Sequence, residues 1–202
     1  MSTEHPSPRR WWGAFPLAVD DARRWSLGPL RLQIERLARE VRVTHWTDGE
    51  PLDDTCVVAA TVDDDPPSGA VLERFGFEQT PDTLHLTPAL ADRAVVTKPE
   101  DPFRLPSRET ATVYVSTPLW LQLRTRHDGP VFFERAIAPP SDTWFGPNTR
   151  VGELCYAART AARVNLANVP VLAQRAVSAV EVHNRSSLRL DLERLKLPVT
   201  ML

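Results

Sequence analysis

The amino-acid sequence predicts a mostly β protein, an antiparallel β-sandwich of about a dozen strands with few or no helices. Three observations carry that prediction. Apolar and polar residues alternate with a period of two in run after run, which sorts side chains onto opposite faces of extended segments. Turn-forming clusters punctuate those runs. Proline occurs 19 times in 202 residues, nearly double the usual share of about 5%; it breaks helix interiors and suits turns and strand ends.

Residues 1–10 read as a disordered tail and 11–202 as a single sandwich-type domain. Trp11, Trp12, Phe15 and Trp25 follow the tail and read as an entry segment whose aromatics cap the core. In LRLQIERL, Leu30, Leu32 and Ile34 alternate with Arg31, Gln33 and Glu35, the pattern of a strand with one wet face. A second alternation sets Val41, Val43 and His45 against Arg42 and Thr44. The β-branched run 55–62 suits a more buried strand, and Asp63 to Gly69 is a loop by composition. Weaker strand patterns lie at 72–78, 82–87 and 93–98. The stretch 98–107 holds three prolines and is where two halves would divide, if the domain is not one unit.

Beyond it, Val113, Val115 and Thr117, then Leu119, Leu121 and Leu123, mark a long alternating segment that Pro118 should bend or place at an edge. His127-Asp128-Gly129 signals a hairpin turn into the returning strand PVFFERAIA. Residues 153–169 are ambiguous: alanine content favours helix, while alternation from Leu154 to Leu166 favours strand, and the strand reading fits more cleanly. Two further strand patterns, QRAVSAVEVHN and SSLRLDLERLKLPV, end the chain. LRLQIERL and LRLDLERL agree at six of eight positions, which reads as convergence, or as neighbouring strands, rather than duplication.

Composition narrows the function classes. The net charge of −2 has both signs interspersed, so no nucleic-acid surface is expected. Basic residues are almost all arginine, with Lys98 and Lys196 the only lysines; genome composition and a use of bidentate ion pairs both fit that bias. Cys56 and Cys155 lie in apolar runs and read as buried free thiols. No signal-peptide core and no apolar run near 18 residues is present, so a cytoplasmic protein without direct membrane insertion is expected. Asn184-Arg185-Ser186 matches a glycosylation sequon that carries no weight without secretion.

The richest candidate site is the segment 141–156, SDTWFGPNTRVGELCY. Trp144 and Phe145 beside turn residues would either plug the end of a sandwich or display a surface to a ring-shaped or protein ligand. Asp142, Asn148, Arg150 and Tyr156 flank them as further ligand- or partner-binding candidates, although Asx side chains more often close turns. The histidines His5, His45, His85, His127 and His183 show no paired spacing, so no metal and no cofactor are expected. Asp53-Asp54 and the Asp63–Asp65 run read as solvated loops rather than cation sites. There is no GxSxG and no phosphate-binding glycine loop. Cys155 among apolar neighbours would keep its proton. No catalytic residue is assigned.

The order LGPLRLQI, VYVSTPLWLQL, TWFGPNTRVGELCYA and VEVHNRSSLRLDLERLKLPV resembles an uncharacterised prokaryotic family, domain of unknown function 432, over roughly Trp12 to Leu202. Its most specific piece is Trp144-Phe145-Gly146 followed by Gly152, Cys155 and Tyr156. The resemblance transfers no catalytic residues. It implies an accessory or regulatory role, with a membrane-channel protein as a conceivable partner. The reading of the residues is a soluble, non-catalytic binding or regulatory module. The alternatives are a hydrolase, or a carbohydrate-binding module using Trp144 and Trp120, with a site gathered from separate strands and the 141–156 turn.

Overall fold

The computed structural model describes residues 10–59 and 64–198. The expected disordered tail lies outside the described residues apart from Arg10, as does Asp63 of the acidic loop. Strand accounts for 51% of the described residues, and the one helical element among them is a single 3-10 turn, Leu166–Asn168, so sheets alone build the core. Among the described residues, no helix is long and apolar enough to cross a membrane. Strands are shorter and more numerous than the sequence pattern predicts: seventeen among the described residues, in five sheets.

The chain forms two compact units. The first comprises Met1–Ala89 and Trp120–Pro139; the second comprises Leu90–Leu119 and Pro140–Leu202. The proline-spaced stretch 98–107 lies inside the second unit, and the chain passes between units at Ala89, Leu119 and Pro139.

In the first unit, five antiparallel strands run in the order β5-β2-β3-β4-β6: β2 Ala22–Leu27, β3 Leu30–Arg36, β4 Glu40–Thr47, β5 Cys56–Ala59 and β6 Val71–Gly76. The alternation read from the sequence is the burial pattern. Trp25, Leu27, Leu32, Ile34, Val41 and Val43 are sealed from solvent, and each fully buried side chain of this size contributes about 1.5–3 kcal/mol. A four-stranded sheet, β1 Gly13–Pro16, β7 Thr83–Ala89, β11 Trp120–Arg124 and β12 Val131–Ala136, supplies the other layer. Rings meet between the layers, Phe15 on Trp25 at 4.8 Å and Phe75 on Phe132 at 5.1 Å, both edge-on. The aromatics after the tail thus enter the core as expected, with Trp11 and Phe15 buried. His127-Asp128-Gly129 closes the β11–β12 hairpin, where the Gly129 amide donates to the Arg126 carbonyl at 3.0 Å.

Two expectations need correction here, the buried strand at 55–62 and the buried thiol of Cys56. The run around Cys56 is an edge strand, not a buried one: Val57 and Val58 are exposed and Cys56 is half-buried. A β-branched run suits an edge and a centre equally, because β propensity measures fit to a pleat and not depth. His45, by contrast, follows Val41 and Val43 onto the core face as the alternation predicts, and its Nε2 lies 3.0 Å from Glu73 Oε1.

The second unit contains the longest ribbon, β10 Thr110–Pro118 paired along its whole length with β15 Arg175–His183. Pro118 ends β10, as its missing donor dictates. A four-stranded sheet runs β13-β14-β8-β17: β13 Asp142–Phe145, β14 Glu153–Ala157, β8 Val95–Thr97 and β17 Leu195–Leu197. The β14–β8 pair is parallel. β9 Phe103–Leu105 pairs with β16 Leu190–Leu192. Val115, Ala162 and Leu197 form a core cluster against which Val180 and Leu195 pack. The segment 153–169 does not continue as one strand. It leaves the sheet after Ala157, Arg159 takes a left-handed φ of +56°, and the chain reaches the 3-10 turn capped by Asn165. LRLQIERL and LRLDLERL lie in different units and do not pair.

Asn184 organises the last turn. Its Nδ2 is directed at the carbonyls of Leu105, Pro106 and Leu188, and its Oδ1 accepts from the Ser186 amide and hydroxyl. The sequon asparagine is therefore a buried structural hub, with the nitrogen that a glycan would occupy already engaged.

Candidate binding site

The segment 141–156 forms the hairpin β13–β14, with register Asp142↔Tyr156, Thr143↔Cys155, Trp144↔Leu154 and Phe145↔Glu153. Facing partners share a side of the sheet. One face therefore carries Asp142, Trp144, Leu154 and Tyr156; the other carries Thr143, Phe145, Glu153 and Cys155.

Trp144 is 39% exposed, Leu154 49% and Val151 59%. The indole is nonetheless fixed. Its Nε1 donates to the Asn148 carbonyl at 2.8 Å. Gly152 makes room for it: φ there is +155°, and a Cβ would lie 2.6 Å from the Phe145 carbonyl oxygen and 2.8 Å from Cε2 and Nε1 of the indole. The Asn148 side chain closes the loop, Oδ1 accepting from the Arg150 and Val151 amides at 2.9 and 2.8 Å. A rigid loop thus holds an apolar group in solvent.

The opposite face is charged. Arg194 donates through Nη2 to the Trp144 carbonyl at 2.6 Å and lies over the Phe145 ring. Lys196 Nζ is 2.7 Å from Glu153 Oε1. This hydrogen bond holds the Glu153 carboxyl below its ordinary pKa and the Lys196 ammonium above its own. Cys155 is fully buried as the sequence predicts; burial first, then the neighbouring Glu153, pushes its thiol pKa up. It is a protonated core residue, not a nucleophile.

The six residues singled out from the sequence are thus dispersed by role. Trp144 is displayed, Phe145 is half-buried under Arg194, and Asn148 and Arg150 form the loop. Asp142 is exposed, its Oδ1 3.6 Å from Arg93 Nη1. Tyr156 is buried beneath the Arg93 guanidinium, its pKa raised first by burial and then by a hydrogen bond with Asp92.

Beside the hairpin, a cleft of about 410 Å³ in the second unit is lined in part by Val96, Lys98, Thr143, Arg159, Thr160 and Arg194. Sequence reasoning does not find it, because its walls come from β8, β13, the segment after β14 and the turn before β17. The parallel β14–β8 pairing that brings the first and third together leaves no local signal. Among the described residues, no group of three or more His, Cys, Asp or Glu is placed to hold a metal ion.

No curated protein matches the chain, and no solved structure does. Residues 11–202 match the family model described as Protein of unknown function (DUF432), which takes in both units apart from the first ten residues. With the WFG turn, Gly152 and the Cys155-Tyr156 pair in the hairpin just described, the chain belongs to this DUF432 family.

Proposed function

We propose that the chain is a non-catalytic binding or regulatory module that contacts another protein through the tip of the β13–β14 hairpin. The observation that carries this reading is Trp144, held 39% exposed by its own loop beside the exposed Leu154. An apolar group fixed in solvent has already lost the side-chain entropy that a contact would cost, which is the economy of a hot-spot aromatic.

The neighbours favour a protein over a sugar. Leu154 and Val151 extend an aliphatic surface, whereas the indole donor that would bind a sugar hydroxyl is occupied by the Asn148 carbonyl. The buried, protonated Cys155 does not support a hydrolase reading. A membrane-channel protein is one partner class to test.

Affinity capture from native lysate with the wild-type chain and a Trp144→Ala variant tests the proposal. A species retained by the wild type and lost from the variant is expected. Identical, empty captures would overturn it.

A further inference from the structure

The structure assigns the cleft beside the hairpin as a site for a small organic molecule carrying a phosphate group. The charge inventory of its wall supports this. Arg159 and Lys98 line the cleft as exposed side chains, and neither has a side-chain hydrogen-bond or ion-pair partner among the described residues. Arg194 also lines it, with a buried Nε that has no acceptor. The one carboxylate in the lining, Glu100, is paired with Arg163 at 2.8 Å.

Behind the wall lies a fourth cation. Arg175 is only 7% exposed. It donates through Nε to Ser116 Oγ at 2.8 Å, and through Nη2 to the carbonyls of Ser116 and Ala158 and to Thr160 Oγ1, at 2.7, 3.0 and 3.2 Å. Ala158 and Thr160 are themselves cleft residues. Every acceptor is neutral. Burial without a counter-charge pushes the Arg175 pKa down to about 10. A buried charge is ordinarily paired; this one lies behind a cleft whose unpaired lining charges have the same sign.

Backbone strain is the independent observation. Arg159 has φ +56°, a conformation that costs a residue with a Cβ about 1–2 kcal/mol and glycine almost nothing. A left-handed arginine without a protein partner, on the wall of a cleft, is strain retained at a site. Guanidinium groups match phosphate oxygens in geometry as well as charge. The volume, at about 410 Å³, exceeds that of a bare phosphate and falls in the range of small-molecule sites, roughly 300–1,000 Å³. Val96, Pro99 and Ala161 would face the organic portion.

The inference is independent of the hairpin reading, because Trp144 is not part of the cleft lining. Isothermal titration of the full chain at low ionic strength with phenyl phosphate, inorganic phosphate and phenol tests it. Both phosphates should bind, and phenol should not. Arg159→Gly removes the charge while relaxing the backbone, so it should leave the thermal midpoint unchanged or raised while weakening phenyl phosphate at least tenfold. Binding by neither phosphate at 10-fold excess over millimolar protein, phenol binding as tightly as phenyl phosphate, or a smaller loss in Arg159→Gly would overturn the assignment.

Discussion

Replacing Gly152 with alanine probes the hairpin directly. The φ of +155° belongs to a region that only glycine adopts freely, and an L-residue there costs about 1–3 kcal/mol. The new methyl would also meet the Phe145 carbonyl oxygen at 2.6 Å and the indole at 2.8 Å, both well inside contact distance, and overpacking of this kind adds about 1–3 kcal/mol. The tip relaxes more easily than a core, so the lower half of the sum applies, about 2–4 kcal/mol. Part of that cost belongs to the indole and part to the backbone, and a double-mutant cycle separates them. In a Trp144→Ala background the ring contact is gone while the φ penalty and the carbonyl contact remain, so the cost of Gly152→Ala should fall by about 1 kcal/mol. Urea denaturation followed by far-ultraviolet circular dichroism gives the global value. Amide exchange at Cys155 and Tyr156 shows whether the hairpin opens ahead of the rest of its unit. A Gly152→Ala variant within about 0.5 kcal/mol of wild type, or one equally costly in both backgrounds, would refute the claim that the glycine exists to seat Trp144.

Two further outcomes follow from the same structure. Asn184→Ala withdraws the donor from three carbonyls and the acceptor from Ser186, and should cost about 2–4 kcal/mol by denaturant titration; a cost under about 1 kcal/mol would show that water replaces the side chain freely. Glu40 is held down to about 2, first by its hydrogen bond with Arg74 and then by that with Arg42, from an ordinary value of 4.5. A depressed carboxyl contributes stability that is present above 4.5 and is lost as pH falls through about 2. The stability advantage of wild type over Glu40→Gln should therefore shrink between pH 5 and 2, read as the difference in thermal midpoints, and a constant difference would contradict the assignment.

Period-two alternation was legible wherever one face of a strand meets the core and the other meets water. β3, β4, β10 and β11 satisfy that condition, so Leu32, Val43, Val115 and Leu123 were placed inside from the sequence alone. β2 carries little of this signal because Arg23 and Arg24 precede Trp25, leaving only Trp25 and Leu27 to mark its inner face. The 153–169 segment misled because small residues alternate there without a sheet to hold them; the left-handed turn at Arg159 is invisible when the residue is not glycine. The hairpin was found through its turn chemistry, Gly146-Pro147-Asn148 and Gly152. The cleft was not, because Lys98, Arg159, Arg175 and Arg194 converge only through tertiary pairing.

Arg175 shows how the fold and the proposed ligand would be coupled. A guanidinium satisfied only by neutral oxygens carries an uncompensated desolvation cost. A methionine there would remove that cost but leave the Ser116 and Ala158 carbonyls without their donor. The arginine thus fastens β10, β15 and the strand-leaving segment after Ala157 through one side chain, at an electrostatic penalty that an anion in the neighbouring cleft would relieve. Any ligand that binds only the folded state stabilises it by mass action. An anionic ligand here would do so at the residue on which three segments of the second unit depend, so occupancy and the integrity of that unit would rise together.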